Sequence, residues 1–392
     1  VSVPSFEVLA PRRIVFGVGA SRALPEHVRA LAGAGAPVLL VTGRDPTRHA
    51  HLVSALAAAH PLEQFTIARE PHVEDAERAV ARARAANVAV VVALGGGSAL
   101  DLGKAISALA PNPGAPLDYL EVVGRGAPLR APPLPFVAVP TTAGSGAEAT
   151  KNAVLSALGP DARPVKVSLR DDRMLPALAL VDPALTLPVP PAVTAATGLD
   201  ALTQVIEPYV SHAATPFTDA LCREAIPRGA RALRRACSDG ADLDARSELS
   251  LVSLHGGLAL ANAKLGAVHG FAGPLGGLLG APHGALCARL LPFVMEANLR
   301  ALRARAPGSP ALARYADVAR WVTGSPDATP DDGARWAHDL VRALSIPTLS
   351  AAGLREADLP AVAAQSARSS SMKGNPVVLT DPELHEILAR AL

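Results

Sequence analysis

Cysteine is scarce: Cys222, Cys237 and Cys287 are the only three in 392 residues, and no two stand in a CxxC spacing. Neither a disulfide framework nor a thiolate zinc cluster is available, and a reducing cytoplasm is the expected setting. Lysine is scarcer than the charge suggests. Of 37 basic residues only Lys104, Lys151, Lys166, Lys264 and Lys373 are lysine, a balance that fits a GC-rich genome better than a phosphate-binding surface. A formal net charge of +2 with no dense basic run argues against a nucleic-acid partner. Residues 1–11 hold no positive segment followed by an apolar one, so no secretory leader is expected there. Long hydrophobic runs are missing too. The uncharged stretch 265–282 approaches membrane length, but its six glycines with Pro274, Pro282 and His269 read as a buried, turn-rich segment, and no membrane partner is expected.

What is present is an apolar chain, 49% hydrophobic and 18% charged, which argues against disorder. Its length suggests roughly two to three domains. Short β-rich runs at 37–41, 88–94, 135–139 and 178–181 alternate with helical stretches, among them 48–59 and 73–86. This βαβ rhythm predicts a mostly parallel sheet covered by helices. Residues 6–16, ending in Ile14-Val15-Phe16, look like a hairpin ahead of the parallel strands. Gly17-Val18-Gly19 lacks the third glycine of a dinucleotide fingerprint and is set aside. Beyond a proline-punctuated connector near 181–191 strand-like runs nearly vanish, and helices are predicted at 192–210, 218–236, 244–263, 285–305, 310–322, 331–344 and 356–367. The expected fold class is α/β followed by all-α: a parallel-sheet domain over 1–184 and a helical domain over 185–392.

The run 88–94 enters Gly95-Gly96-Gly97-Ser98 directly, and a helix follows from Leu100 to Leu109. Glycines let backbone approach a phosphate closely, and free N–H groups at a helix start supply donors aligned with its dipole. Ser98 and Asp101 fit a capping box. The same residues also suit a plain strand-to-helix turn. Two further strand ends favour a ligand: Val139-Pro140 leads into Thr141-Thr142-Ala143-Gly144-Ser145, and Val41 leads into Thr42-Gly43-Arg44, and in open α/β sheets ligands bind beyond the carboxyl ends of strands. Gly43 stands where many dinucleotide sites carry an acid for the ribose 2′-hydroxyl. Arg44 and Arg48 nearby suit a 2′-phosphate, a slight lean to NADP over NAD.

In the second half, Asp200 and Gln204 fall one helical turn apart on a shared face of an otherwise apolar helix. His269 and His283 follow, each among small residues. One carboxylate and two imidazoles can hold a divalent ion, although a lone histidine is more often a core residue than a ligand. Cys287, one turn past His283, either faces the same cavity or is buried as a small apolar side chain, the latter being the commoner fate.

Taken together these motifs resemble the iron-containing (group III) alcohol dehydrogenases, whose relatives include maleylacetate reductases, glycerol dehydrogenases and dehydroquinate synthases. The carriers are the stretch Gly95-Gly96-Gly97-Ser98-Ala99-Leu100-Asp101 through Lys104, Pro140 through Glu148, Thr197-Gly198-Leu199-Asp200, His269 through Gly277, and Pro282-His283-Gly284. The resemblance implies a dehydroquinate synthase-like fold, with a dinucleotide-binding domain and a helical domain whose nicotinamide and metal meet in the cleft between them. By the same carry-over the pyrophosphate lies on Gly96, Gly97 and Ser98, with Thr141, Thr142 and Ser145 near ribose or nicotinamide; Gly43, Gly95 and Asp101, from the strand-end reading, complete the expected cofactor residues. Lys166 matches a lysine beside the nicotinamide ribose. Asp200, Gln204, His269 and His283 fall on the four metal-ligand positions.

Two residues depart from the family pattern. Gln204 replaces a histidine ligand, and a carbonyl oxygen binds iron or zinc less well than imidazole does. Gly273 replaces a histidine that could relay a proton. The implied activity is NAD(P)-dependent interconversion of an alcohol and an aldehyde or ketone, assisted by a divalent metal, Fe or Zn, in a homodimer or larger homo-oligomer. The alternatives are a metal-independent reductase resembling maleylacetate reductase, a lyase resembling dehydroquinate synthase, and a cofactor-binding protein without catalysis.

Overall fold

The computed structural model describes residues 5–159 and 164–392. Residues 1–4, the opening of the segment expected to carry no leader, lie outside the described residues. The chain divides into two compact units. Among the described residues one comprises 9–142, 146–159 and 164–189, and the other comprises 190–392 together with 143–145 and 5–8.

The first unit is built on a six-stranded parallel sheet: β1 (Ile14–Phe16), β2 (Val38–Thr42), β3 (Leu62–Thr66), β4 (Val90–Gly95), β5 (Phe136–Pro140) and β8 (Leu178–Val181), in the order β1-β8-β5-β4-β2-β3. The four central strands are buried throughout. Burial on both faces is why they read as unbroken apolar runs. Helices α1 (Leu24–Ala32) and α2 (Ala50–Ala59) cover one face through Leu24, Val28, Leu52 and Leu56; α3 (Val73–Ala85) and α4 (Gly97–Leu109) cover the other. A short helix, α5 (Pro116–Tyr119), follows, and β6 (Asn152–Leu158) pairs antiparallel with β7 (Pro164–Arg170) in a separate ribbon. The unit runs to Val189, past the expected boundary at 184, because Leu185 packs into the core of the α1–α2 face.

The expected hairpin at 6–16 is not there. Ile14-Val15-Phe16 is a single strand, β1, pairing parallel with β8 in the register Ile14↔Ala179. Its partner lies far along the chain, so local pattern could not reveal the pairing. β3, an edge strand of sequence LEQFT, was missed because only Phe65 in it is fully buried.

The second unit is all helix: α6 (Pro191–Val210), α7 (Pro216–Ser238), α8 (Leu243–Asn262), α9 (Ala267–Leu279), α10 (His283–Arg305), α11 (Pro310–Thr323), α12 (Pro330–Ala343), α13 (Leu359–Ala367) and α14 (Asp381–Ala391). The stretch read as turn-rich is instead largely the helix α9. Gly270 serves close packing, since a Cβ there would come within 2.8 Å of the Met372 side chain. Tertiary burial here overrides poor intrinsic propensity. Gly280, at φ +60°, closes the helix in the left-handed conformation. Among the described residues no single helix is long and apolar enough to cross a membrane.

Candidate cofactor and metal sites

Strand order marks a candidate nucleotide site. From β2 the chain steps outward to β3, then returns across β2 to β4 and proceeds the other way, so the order reverses between β2 and β4. That reversal point is where open α/β sheets bind ligands. Gly43 follows β2, Gly95 ends β4, and Thr141 and Thr142 follow β5, all at carboxyl ends of adjacent strands. The backbones crowd there: a Cβ on Gly95 would lie 2.6 Å from Ala99 Cβ and 3.2 Å from the Gly43 nitrogen, and one on Gly96 would lie 3.2 Å from Thr142 Oγ1. Thr141 donates its N–H to Gly95 carbonyl oxygen at 3.0 Å, which ties the two loops together.

The expected capping box does not form. Gly96, not Ser98, is the N-cap of α4, no side chain caps it, and Ser98 sits inside the first turn. The first-turn amides are therefore left without a side-chain acceptor, which is what an anion requires. Asp101 lies deeper on α4 with Lys104. Burial pulls the Lys104 ammonium down to about 8 against the pull of Asp101 and Glu148, and pushes the Asp101 carboxyl up to about 6 despite Lys104. Lys104 donates to the Ala147 carbonyl, Thr150 Oγ1 and the Asn152 carbonyl at 2.9, 2.8 and 2.8 Å, fastening α4 to β6. Lys166, on β7, holds Glu70 at 2.7 Å. Ser145, unlike Thr141 and Thr142, belongs to the helical unit. In that unit the neighbouring Gly144 N–H donates to Ser253 Oγ at 2.9 Å. Arg44 donates to the Ala68 carbonyl at 3.2 Å, and Arg48 pairs with Asp45 at 3.3 Å.

Three helices assemble the second site. Asp200 projects from the middle of α6, His269 from the first turn of α9, and His283 and Cys287 from the first two turns of α10. Asp200 Oδ1 lies 3.4 Å from His269 Nε2 and 4.0 Å from His283 Nε2. Cys287 Sγ lies 3.6 Å from His283 Nε2, and the four donor atoms all fall within 4.8 Å of one another. Gly284 permits this convergence, since a Cβ there would be 2.7 Å from the Ala196 carbonyl oxygen on α6. Asp200 and His269 are 3% and 6% exposed, yet Asp200 Oδ1 and His269 Nε2 make no hydrogen bond, nor does Oε1 of buried Gln204. Buried polar atoms without partners are costly, and a divalent cation would satisfy Asp200 Oδ1 and His269 Nε2, which face each other at 3.4 Å. The donor set thus fits the metal that the sequence suggested.

Electrostatics agree. Burial alone would raise the Asp200 carboxyl, but His283 and His269 outweigh it and hold the group below its ordinary value. Burial pushes the Cys287 thiol up to about 12. Glu207, a residue to which the sequence assigned no role, lies two turns past Asp200 on α6. It accepts from His269 Nδ1 at 2.6 Å and from the Val268 N–H at 2.7 Å. Its i,i+7 spacing from Asp200 was the available signal.

The geometry agrees with comparisons to known proteins. The iron-containing alcohol dehydrogenase family model matches residues 11–183, and the C-terminal model of the Fe-containing alcohol dehydrogenase family matches 194–392. The chain is 34% identical to 1,3-propanediol dehydrogenase of Klebsiella pneumoniae, covering 100% of both proteins. It is 44% identical to long-chain-alcohol dehydrogenase 1 of Geobacillus thermodenitrificans over 58% of this chain and 56% of that one. The crystal structure of a 1,3-propanediol oxidoreductase superposes with a TM-score of 0.88 at 32% identity, covering 99% of this chain and 100% of that one. From its sheet order to its carboxylate–imidazole cluster, this chain belongs to the iron-containing alcohol dehydrogenase family.

Proposed function

We propose that the protein interconverts a small alcohol and its aldehyde or ketone, using a nicotinamide dinucleotide. The observation that carries this reading is the convergence of Asp200, His269 and His283 around unsatisfied donor atoms in a chain of this family. When bound, a divalent metal such as Fe or Zn would polarise the substrate oxygen, and the nicotinamide would exchange the hydride.

The chain's own residues do the rest. Gly95, Gly96, Gly97 and Ser98 present uncapped first-turn amides to the pyrophosphate, with Gly43 keeping the adjoining strand end clear. Asp101, Thr141, Thr142, Ser145 and Lys166 serve the remainder of the nucleotide. Asp200, His269 and His283 hold the metal, with Gln204 at the family's fourth ligand position, and Glu207 holds His269 so that Nε2 is the free donor. Gly273 offers no side chain for proton relay, and a Cβ there would meet nothing within 4 Å. The substrate proton then leaves through water or the ribose hydroxyls. Arg44 beside Gly43 favours NADP over NAD. The exposed apolar edge of β1, with Ile14 and Phe16 at 36% and 39% exposure and Val18 just beyond it at 55%, supports a homodimer or larger assembly. Three unpaired thiols suit a cytoplasmic setting.

Gln204 at a ligand position favours a second reading, a metal-independent reductase in which His269 and His283 donate hydrogen bonds to the substrate. Exhaustive chelation separates the two. Loss of NAD(P)H-linked turnover on chelation, with recovery on adding Zn or Fe, supports the metal-assisted reaction; turnover that survives metal removal overturns it.

A further inference from the structure

We propose that Cys287 is a protein ligand of the metal, completing a set of Asp200 Oδ1, His269 Nε2, His283 Nε2 and Cys287 Sγ in the role that the sequence gave to Gln204. The proposal rests on the metal-binding reading above. Four observations carry it.

His283 and Cys287 are four residues apart at the start of α10, so both face the same side of that helix. Their donor atoms approach to 3.6 Å, and Asp200 Oδ1 stands 3.4 Å from His269 Nε2. A tetrahedral site with the usual zinc–nitrogen, zinc–oxygen and zinc–sulfur bond lengths has edges of about 3.3 to 3.6 Å. Two of the observed separations meet that range, and the Asp200–His283 separation of 4.0 Å is slightly longer.

Ligand direction agrees as well. His269 is oriented by the Glu207 carboxylate on Nδ1, which leaves Nε2 aimed at Asp200. Gln204 is turned against α8: its Cβ and Oε1 lie 3.1 and 3.3 Å from where a Cβ on Gly256 would stand. Cys287 is fully buried beside two buried donor atoms, Asp200 Oδ1 and His269 Nε2, that lack hydrogen bonds. Coordination would send the thiol proton to solvent, since the thiolate is the ligand. A thiolate in the set also shifts selection toward zinc and away from harder ions.

The test uses metal-free full-length protein titrated with Co(II), and separately with Zn(II) against a competing chelator, for the wild type and for Cys287→Ser and Cys287→Ala. Dinucleotide affinity and thermal unfolding report that each variant is folded. The expected result is a thiolate-to-cobalt charge-transfer band in the wild type that both variants lack. Zinc affinity should fall at least roughly tenfold in the variants, given that losing even an outer-shell partner costs about that much. Tight cobalt binding with ligand-field bands but no thiolate band, and equal zinc affinity in the variants, overturns the role of Cys287 while leaving the metal reading standing. Failure of the wild type to bind either ion overturns the metal reading and the ligand set with it.

Discussion

Glu207 Oε2 accepts a hydrogen bond from His269 Nδ1 at 2.6 Å while Glu207 Oε1 accepts the Val268 N–H at 2.7 Å, so one carboxylate fixes both the ring of a metal-site histidine and the backbone that carries it. Such outer-shell carboxylates set the tautomer of a ligating imidazole. Glu207→Gln keeps the shape but provides only one acceptor oxygen. Zinc affinity measured by chelator competition should fall by about 10- to 100-fold, with dinucleotide affinity unchanged. Unaltered zinc affinity would show that His269 needs no such support.

At the nucleotide end, Gly95→Ala places a methyl group 2.6 Å from Ala99 Cβ and 3.2 Å from the Gly43 nitrogen. Neither neighbour is a flexible side-chain tip. The substitution should cost about 1 to 3 kcal/mol of stability by overpacking, and fluorescence titration should show weakened binding of NAD(P)H. Wild-type affinity in the variant would place the nucleotide elsewhere.

Burial pushes the Asp101 carboxyl up to about 6 in the folded chain from its ordinary 3.8. A group whose folded value is raised binds more protons folded than unfolded between those values, so its contribution is full below the unfolded value and is lost as pH rises through the folded one. Asp101→Asn stays neutral throughout. The stability of the variant relative to wild type should therefore increase by about 2 to 3 kcal/mol between about pH 4 and pH 7, read from denaturant unfolding at each pH. A pH-independent difference would remove Asp101 as the source.

Arg44 is the residue to alter for cofactor choice. Charge-assisted contacts to phosphate are worth about 1.5 to 3 kcal/mol. Arg44→Ala should lower kcat/KM with NADPH by roughly tenfold or more and leave the value with NADH nearly unchanged. Equal losses with both cofactors would contradict a 2′-phosphate contact.

Much of the fold was readable because burial leaves a periodic mark. The central strands β2, β4, β5 and β8 are buried on both faces and so consist of continuous apolar residues, and the long helices of the second half carry ordinary helix formers. The exceptions share a cause. β3 lies at an edge and needs little apolar surface, and β1 finds its partner β8 across most of the first unit. The helix α9 is interrupted by glycines, of which Gly270 is required by the neighbouring Met372 side chain. The capping box at Ser98 failed because the strand-to-helix turn starts two residues earlier, with Gly96 as the cap.

The candidate site divides in the same way. Spacing put Asp200 with Gln204, because a helix turn is a local property of the chain, while the small residues around His269 and His283 and the family resemblance marked the two imidazoles. Whether a thiol one turn past His283 is inert filler or a donor depends on what packs against it. The approach of Cys287 Sγ to 3.6 Å from His283 Nε2 follows from their i,i+4 spacing, but only the folded helices bring Asp200 and His269 to that pair, with the Glu207 carboxylate behind His269. Sequence determined the residue types and their placement along each strand and helix, since those follow from nearest-neighbour chemistry. Tertiary structure decided which donor atoms face one another, since that is set by the packing of α6, α9 and α10, elements far apart in the chain.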